Sequence, residues 1–445
     1  MLSFTIYLDL EPIGLLSHDS GNNLFAFEYH QEWTHQEGAY PICPLIPLVA
    51  PEHESREKHS AIVRQFFENL LPEGSALDQV SIFHQISKSN LMGLMLVLGA
   101  ETSGALRIGT DPIQVPASEL QLRLITPAEL ENRIVQRQEI PFTVWDGKVR
   151  LSIAGFQDKI AIYKKNDQWY LVDGPELAST WIVKPTPERK TLKSLPENEF
   201  ICMSLAKLID IPVATVELVR IPSPVLLVKR FDRKELTTRV KRLHIIDACQ
   251  ALGRSSSMKY ERPYGHSRDV KDIRDGVNYC DLFDLMKNAI QPIKDRLQLL
   301  RWAIYQIYIG NSDAHGKNIS FFMNEKGISM APAYDLVCIP ALGDSTLSHT
   351  FSMAIGDAFR VEDITIEDIR EFAIQSGLAQ KVVFQEFSKM GKKLLEKFSG
   401  LEELANHEQI DLKIVHSIQI EIQKNIYIIT KLLETNHRLN IYLVN

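Results

Sequence analysis

The sequence predicts an α+β protein of two lobes, a β-rich lobe followed by a helical one. Up to about residue 235 the chain consists largely of short runs of β-formers separated by turn signals. After about residue 240 its apolar residues recur mostly at helical spacing. The 445 residues exceed one average domain, and 45% hydrophobic with 24% charged side chains is the balance of a folded chain, which excludes disordered and collagen-like classes. A formal charge of −7, from 49 basic against 56 acidic side chains, gives no general attraction to nucleic acid or anionic membrane. Cys43, Cys202, Cys249, Cys280 and Cys338 are scattered without a CxxC pair, which argues against a zinc ribbon or dithiol motif and fits a reducing compartment. The first residues lack the basic start and apolar core of a signal peptide, and the apolar run 91–100 is too short to span a bilayer. A cytoplasmic location without membrane contact is expected.

In chain order, residues 4–10 alternate as a strand, residues 19–23 (DSGNN) turn, and residues 24–29 (LFAFEY) return as a second strand. The four prolines of residues 40–51 exclude helix or central strand there. A helix is expected over 59–71, stopped by Pro72 and Gly74. Residues 109–118 read as a connection, and residues 126–129 (TPAE) as a capped helix start. β-Type runs come next within 148–165, 168–172, 179–185 and 223–231, with one helix over 197–209. The run 295–310 is a strong helix, with Asp295 as its expected N-cap and Gly310 as its stop. A hairpin is expected over 319–332, a buried strand over 351–356, and helices over 364–375, 379–398 and 412–433.

The chemistry concentrates in residues 310–318 (GNSDAHGKN), a polar turn directly after that apolar helix. Asp313 and Asn318 have the D-x-x-x-x-N spacing of a protein-kinase catalytic loop, where the aspartate accepts a hydroxyl proton and the asparagine takes a nucleotide-bound metal. Lys317 could offset charge on a transferring phosphoryl group. Asp335, in APAYDL, would add a carboxylate for Mg²⁺, which favours one or two carboxylates plus phosphates. Taken singly, such aspartates more often cap a helix or a turn. Upstream, residues 152–159 (SIAGFQDK) lie between β-type runs, as a phosphate-covering loop would, though one glycine matches neither G-x-G-x-x-G nor a Walker A loop. Lys184 ends a strand as a phosphate-holding lysine would, and Glu199 sits early in the next helix as its orienting partner would. The order of these features along the chain is that of a kinase, so the expected fold is a two-lobed protein-kinase-like one with an all-helical C-terminal lobe. His315 and His349 without a clustered third ligand do not make a zinc site.

These residues resemble the HipA-type toxin kinases, serine/threonine kinases of bacterial toxin–antitoxin modules. The similarity lies in FFENLLPEG (66–74), LSIAGFQDK (151–159), VKRFDR (228–233), RLHIIDACQALG (242–253), NSDAHGKN (311–318) and APAYDL (331–336). The resemblance implies Asp313 as catalytic base, with His315, Lys317 and Asn318 lining the nucleotide and metal site. It implies Asp335, with Tyr334 beside it, on Mg²⁺ and the ATP phosphates. Ala154, Gly155, Phe156, Gln157, Asp158 and Lys159 would cover the phosphates and Lys184 would pair with them. Lys229, Arg230 and Phe231 would meet adenine largely through backbone, and Asp232 would reach the ribose. Ser152 would be the inactivating autophosphorylation site, a phosphate there adding about −2 charge. The chain departs from the family with Lys229 where Glu is frequent and with Ile245 and Ile246 where Gln-Glu precedes Asp247. The domains implied are residues 1–110, residues 111–235 with the phosphate loop and ATP lysine, and a helical lobe at 236–445. The implied partners are a helix-turn-helix antitoxin that binds operator DNA as a dimer and a translation component such as an aminoacyl-tRNA synthetase. A degenerate kinase that only binds nucleotide or antitoxin, and a nucleotidyl transferase, are the alternatives. Residues 253–269 are expected to form a solvated or substrate-facing loop.

Overall fold

The computed structural model describes residues 2–51, 53–109, 121–150, 157–174 and 176–444. By contacts the chain divides into two units: Met1–Pro185, Val219–Ser256 and Phe321–Ile328 form the first, and Thr186–Leu218, Ser257–Ser320 and Ser329–Asn445 the second.

The first unit begins with strands Leu2–Leu8, Glu11–Asp19 and Leu24–Tyr29, which join Leu106–Gly109 in a four-stranded antiparallel sheet. Phe4, Ile6 and Leu8 are buried as the alternation of residues 4–10 predicts, but Tyr7 is buried too, and the strand ends at Leu8 because Asp9 and Leu10 turn into the next strand. Helix Arg56–Glu68 starts at the Ser55 cap and buries Phe66 and Phe67. It stops before Pro72 because Asn69, almost fully buried, takes the chain away and donates to the carbonyls of Gln65 and Arg254, at 2.8 Å each. A six-stranded sheet comes next, in the order Val216–Ile221, Ser223–Lys229, Trp181–Pro185, Ile160–Lys165, Gln168–Asp173, Gln121–Ile125. Its core includes Phe142, Trp145, Ile160, Ile162, Val183 and Leu227. Thr126 caps helix Pro127–Val135 by accepting from the Glu129 N–H, as TPAE predicts.

In the second unit, helix Pro292–Ile309 is the spine. Helices Gln380–Glu396 and Leu412–Val444 pack on it, and Tyr305 and Tyr308 donate to the carbonyls of Cys202 and Phe387 at 2.6 and 2.9 Å. The spine starts three residues earlier than Asp295, with Gln291 at the cap position. Asp295 is instead a buried tether whose carboxylate accepts from the backbone N–H groups of Gln291 and Met330 at 3.3 and 3.0 Å.

Two further expectations are corrected. The chain beyond residue 236 is not all helix, because Ile245–Asp247, Ser320–Asn324 and Gly327–Met330 form a three-stranded sheet. Residues 351–356 are buried but make only the isolated bridge Ile355–Ala358, because their hydrogen bonds are divided among Ala358, Phe359, Glu261 and Ser312 and form no ladder with a neighbouring strand. Among the described residues no helix is long and apolar enough to cross a membrane.

His244, in the first unit, has an acid-labile environment. It is buried, its Nε2 bonds the Ile42 carbonyl at 2.7 Å, and burial pushes its imidazole down to about 4. The unfolded imidazole binds a proton near pH 6.5 and the folded one does not, so stability falls as pH drops from about 6.5 toward 4. Urea denaturation should show this group costing the unit about 2 kcal/mol between pH 7 and pH 5. His244→Gln, which keeps a donor for Ile42, should lose that part of the pH dependence.

Candidate active site

The spine helix ends at Gly310, whose φ of +66° lets the chain reverse. The orphan carbonyls of its last turn are met from outside: buried Asn425 donates its Nδ2 to Ile307 and Tyr308, at 3.2 Å each. Residues 311–318 then form a turn held by its own polar groups. Asn311, 1% exposed, donates to the Gln306 side chain at 2.9 Å and the Asp335 carbonyl at 3.2 Å, while its Oδ1 accepts from the Asp313 N–H at 3.1 Å. The Asp313 carbonyl accepts from the His315 N–H and from Asn318 Nδ2, both at 2.8 Å. With its nitrogen so committed, the Asn318 amide offers its oxygen, the atom a hard cation prefers.

A second brace joins residues 331–336 to the same turn. The Tyr334 hydroxyl donates to the Lys317 carbonyl at 2.8 Å and bonds Ser320 Oγ at 2.7 Å. Asp335 sits in the left-handed region at φ +53°, a conformation that Asp tolerates better than most residues and that clusters at functional sites. Asp313, Lys317, Asn318, Tyr334 and Asp335 are thus brought together within one unit. Asp313 keeps 55% of its side chain exposed, whereas His315 and Lys317 are buried.

His315 Nδ1 accepts from the Lys317 N–H at 3.3 Å, which leaves the proton on Nε2, 3.7 Å from Asp313 Oδ1. Burial, helped by the charge of Lys259, holds this imidazole well below its usual range, so it is neutral. His349 is exposed, and among the described residues no group of three or more His, Cys, Asp or Glu side chains could hold a metal by itself.

The remaining predicted residues divide between the units. Lys184 is buried on strand Trp181–Pro185, between Ile160–Lys165 and Ser223–Lys229. Gln157 Nε2 donates to the Pro185 carbonyl at 3.2 Å, Asp158 lies 3.9 Å from Arg137, and Lys159 is buried. Ser152, Ala154, Gly155 and Phe156 lie outside the described residues. Glu199 is buried in helix Leu195–Leu208 of the second unit. Lys229 points outward, 3.7 Å from Glu235 and 5.9 Å above the Trp181 ring. Phe231 stacks edge-on against Phe322 at 5.9 Å.

Arg230 and Asp232 face inward. The Asp232 carboxylate takes donors from Arg230, Arg233 and the Gly104 N–H. Burial opposes that charge, and Arg230 with Arg233 outweighs it, so the group stays ionised. Asp247 caps helix Ala248–Leu252 in a reciprocal pair with Gln250, while Ile245 and Ile246 are buried in the strand before it.

Two residues escape a sequence reading. Glu101 joins Arg230, Arg233, Arg242 and Ser179, yet lies in a stretch with no periodic signal. Tyr260 donates to Asp313 Oδ1 at 2.9 Å from within a polar loop expected to be solvated. That loop is docked: its next residue, Glu261, is 2% exposed and bonds Arg274 and the Ala354 N–H. The run holds two tyrosines, Tyr260 and the exposed Tyr264, and nothing in the sequence tells them apart.

The braced turn 311–318, Asp335 and the buried strand lysine Lys184 are among the residues on which the resemblance to the HipA family rests. Two family models agree: that of the HipA N-terminal domain matches residues 4–109, and that of the HipA-like C-terminal domain matches residues 151–398. The chain belongs to the HipA family. The serine/threonine-protein kinase toxin HipA of Shewanella oneidensis is 36% identical over 396 residues, 88% of each chain. A solved structure of Shewanella oneidensis HipA with HipB and operator DNA matches with a TM-score of 0.81 at 32% identity, covering 97% of this chain and 99% of that one.

Gly316 shows how tightly the turn is fitted, since a Cβ there would lie 2.7 Å from buried Val277. Gly316→Ala should cost about 1–3 kcal/mol in urea denaturation, the usual penalty for overpacking. Adding Val277→Ala should recover part of that loss, a non-additivity expected of touching side chains.

Proposed function

We propose that the protein is the kinase toxin of a toxin–antitoxin module. It transfers the γ-phosphoryl group of ATP, with Mg²⁺, to a serine or threonine hydroxyl of a cytoplasmic protein. The observation that carries this reading is Asp313, an exposed carboxylate on an otherwise buried turn, beside the amide of Asn318 and the backbone-anchored Asp335.

Asn318 and Asp335 fit Mg²⁺ chemically: they offer oxygen only, one amide and one carboxylate, and a Mg²⁺ site of this kind is completed by phosphates and water. The ion, when bound, would neutralise phosphate charge. Asp313 accepts the acceptor hydroxyl's proton. Lys317 supplies positive charge to the transferring group, and neutral His315 fills the space beneath without adding charge. From the family resemblance we assign Gln157, Asp158, Lys159 and Lys184 to the phosphates, with Ala154, Gly155 and Phe156 in the same loop. The backbone of 229–231 is assigned to adenine and Asp232 to the ribose edge. Because the Asp232 carboxylate already holds two arginines, its first role in this reading is to set the course of that backbone. Glu199 is assigned to orient Lys184.

Ser152 is the proposed autophosphorylation site that switches the enzyme off, its added charge repelling ATP. The solved relative carries HipB and operator DNA. A HipB-like helix-turn-helix antitoxin is therefore the proposed partner, with DNA contact mainly through it, as the chain's −7 charge favours. The proposed target is an aminoacyl-tRNA synthetase or another translation component, whose phosphorylation would inhibit translation. The degenerate-kinase alternative draws no support from Ile245 and Ile246, whose buried positions in the strand give them a packing role.

Intact and peptide mass spectrometry after incubation with Mg-ATP tests this reading. Wild type should gain a single phosphate on Ser152, and Asp313→Ala should gain none. If neither gains phosphate, and neither carried any beforehand, the transferase reading fails. ATP that then still raised the melting temperature would favour a nucleotide-binding protein.

A further inference from the structure

A carboxylate that must accept a proton has two oxygens and a soft terminal torsion, and Asp313, more than half exposed, has little packing to fix it. Tyr260 supplies an orientation. Its hydroxyl donates to Oδ1 at 2.9 Å, and its ring meets the His315 ring edge to face, 5.0 Å between centroids at 88°. We infer that Tyr260 is a positioning residue that holds the Asp313 carboxylate for proton transfer, an inference that rests on the kinase reading above. A neutral phenol aims the carboxylate without the full positive charge of an ion pair, so the base keeps more of its basicity than an arginine in the same place would leave it.

Tyr260 can do this because its backbone is fixed on both sides. The Lys259 carbonyl accepts from the Gly316 N–H at 2.9 Å, so the turn that carries Asp313 and the segment that carries Tyr260 are joined by main chain as well as by side chains. The Val277 N–H donates to the Met258 carbonyl at 3.0 Å, the Gly276 N–H to the Glu261 carbonyl at 3.2 Å, and the Glu261 N–H to the Ser352 carbonyl at 2.9 Å. Glu261 adds side-chain bonds to Arg274 and the Ala354 N–H at 2.5 and 2.7 Å. At Gly276 a Cβ would lie 1.8 Å from the Tyr260 carbonyl, so this clip closes only with glycine there. Ser352 in turn donates its hydroxyl to the Ser312 carbonyl at 2.7 Å, which returns the clip to the residue before Asp313.

The test compares full-length wild type, Tyr260→Phe and Tyr260→Ala in single-turnover phosphate transfer from Mg-ATP to the chain itself, read by intact mass over a range of ATP concentrations. Tyr260→Phe keeps the ring against His315 and removes only the donor. Its saturating rate should fall about tenfold or more, the scale of one hydrogen bond to a charged group, with half-saturating ATP within about twofold and melting temperature unchanged. Tyr260→Ala should fall further, because His315 also loses its ring contact. A Tyr260→Phe rate equal to wild type would overturn the inference. So would a rate that falls together with ATP affinity and melting temperature, since that pattern belongs to a structural tyrosine. Wild type that transfers no phosphate overturns the kinase reading itself, and this inference with it.

Discussion

The first unit depends on one buried ionic cluster. Glu101 and Asp232 face Arg230, Arg233 and Arg242, whose side chains are almost wholly out of water. Desolvating that many charges is expensive, and the carboxylates offset it together with the Thr102 and Gly104 carbonyls and Ser179, which accept further guanidinium protons. Losing either carboxylate would leave buried guanidinium charge unmatched. The cluster therefore holds the turn at 101–104, after the apolar helix Leu91–Leu98, against the chain leaving strand Ser223–Lys229. The short segment 229–232 gets its course from this cluster and from the Arg230 N–H bond to the Thr180 carbonyl at 2.8 Å.

The second unit fixes its reactive turn by different means. Around Asp313 the braces are mostly neutral: two asparagine amides, two tyrosine hydroxyls, a neutral imidazole and main-chain bonds. Such bonds orient side chains without filling the site with competing charge, which leaves field strength to the few ionised groups that face the chemistry. Rigidity by ion pairs in one unit and by neutral bonds in the other fits the work proposed for each. The first carries a segment that needs only a path, and the second a carboxylate that must stay basic.

Legibility in the sequence tracked the range of the interactions. Strands 24–29 and 181–185, the Thr126 cap and the Gly310 stop depend on neighbours a few residues away, and their patterns were readable. The turn at 310–318 was readable because a glycine-flanked polar run directly after an apolar helix marks a turn by composition alone. Asp295 was misplaced because a helix-start aspartate looks the same whether it caps its own helix or tethers a strand thirty-five residues on. Residues 351–356 have the apolar run of a strand but no edge to pair with, and edges are set by topology. Glu101 and Tyr260 act across 129 and 53 residues of sequence, and nothing in their immediate surroundings announces their partners.

Asn425 lies 27 residues beyond the last position matched by the HipA-like C-terminal domain, yet it ties off the carbonyls from which the Asp313 turn departs. The final helix is thus a keystone for the reactive turn as well as an outer wall. A fragment cut at residue 398 would retain all the chemistry-bearing side chains while leaving the helix beneath them open-ended. In an architecture of this kind, the minimal catalytic set and the minimal working domain have different borders, and the second extends through the helix that carries Asn425.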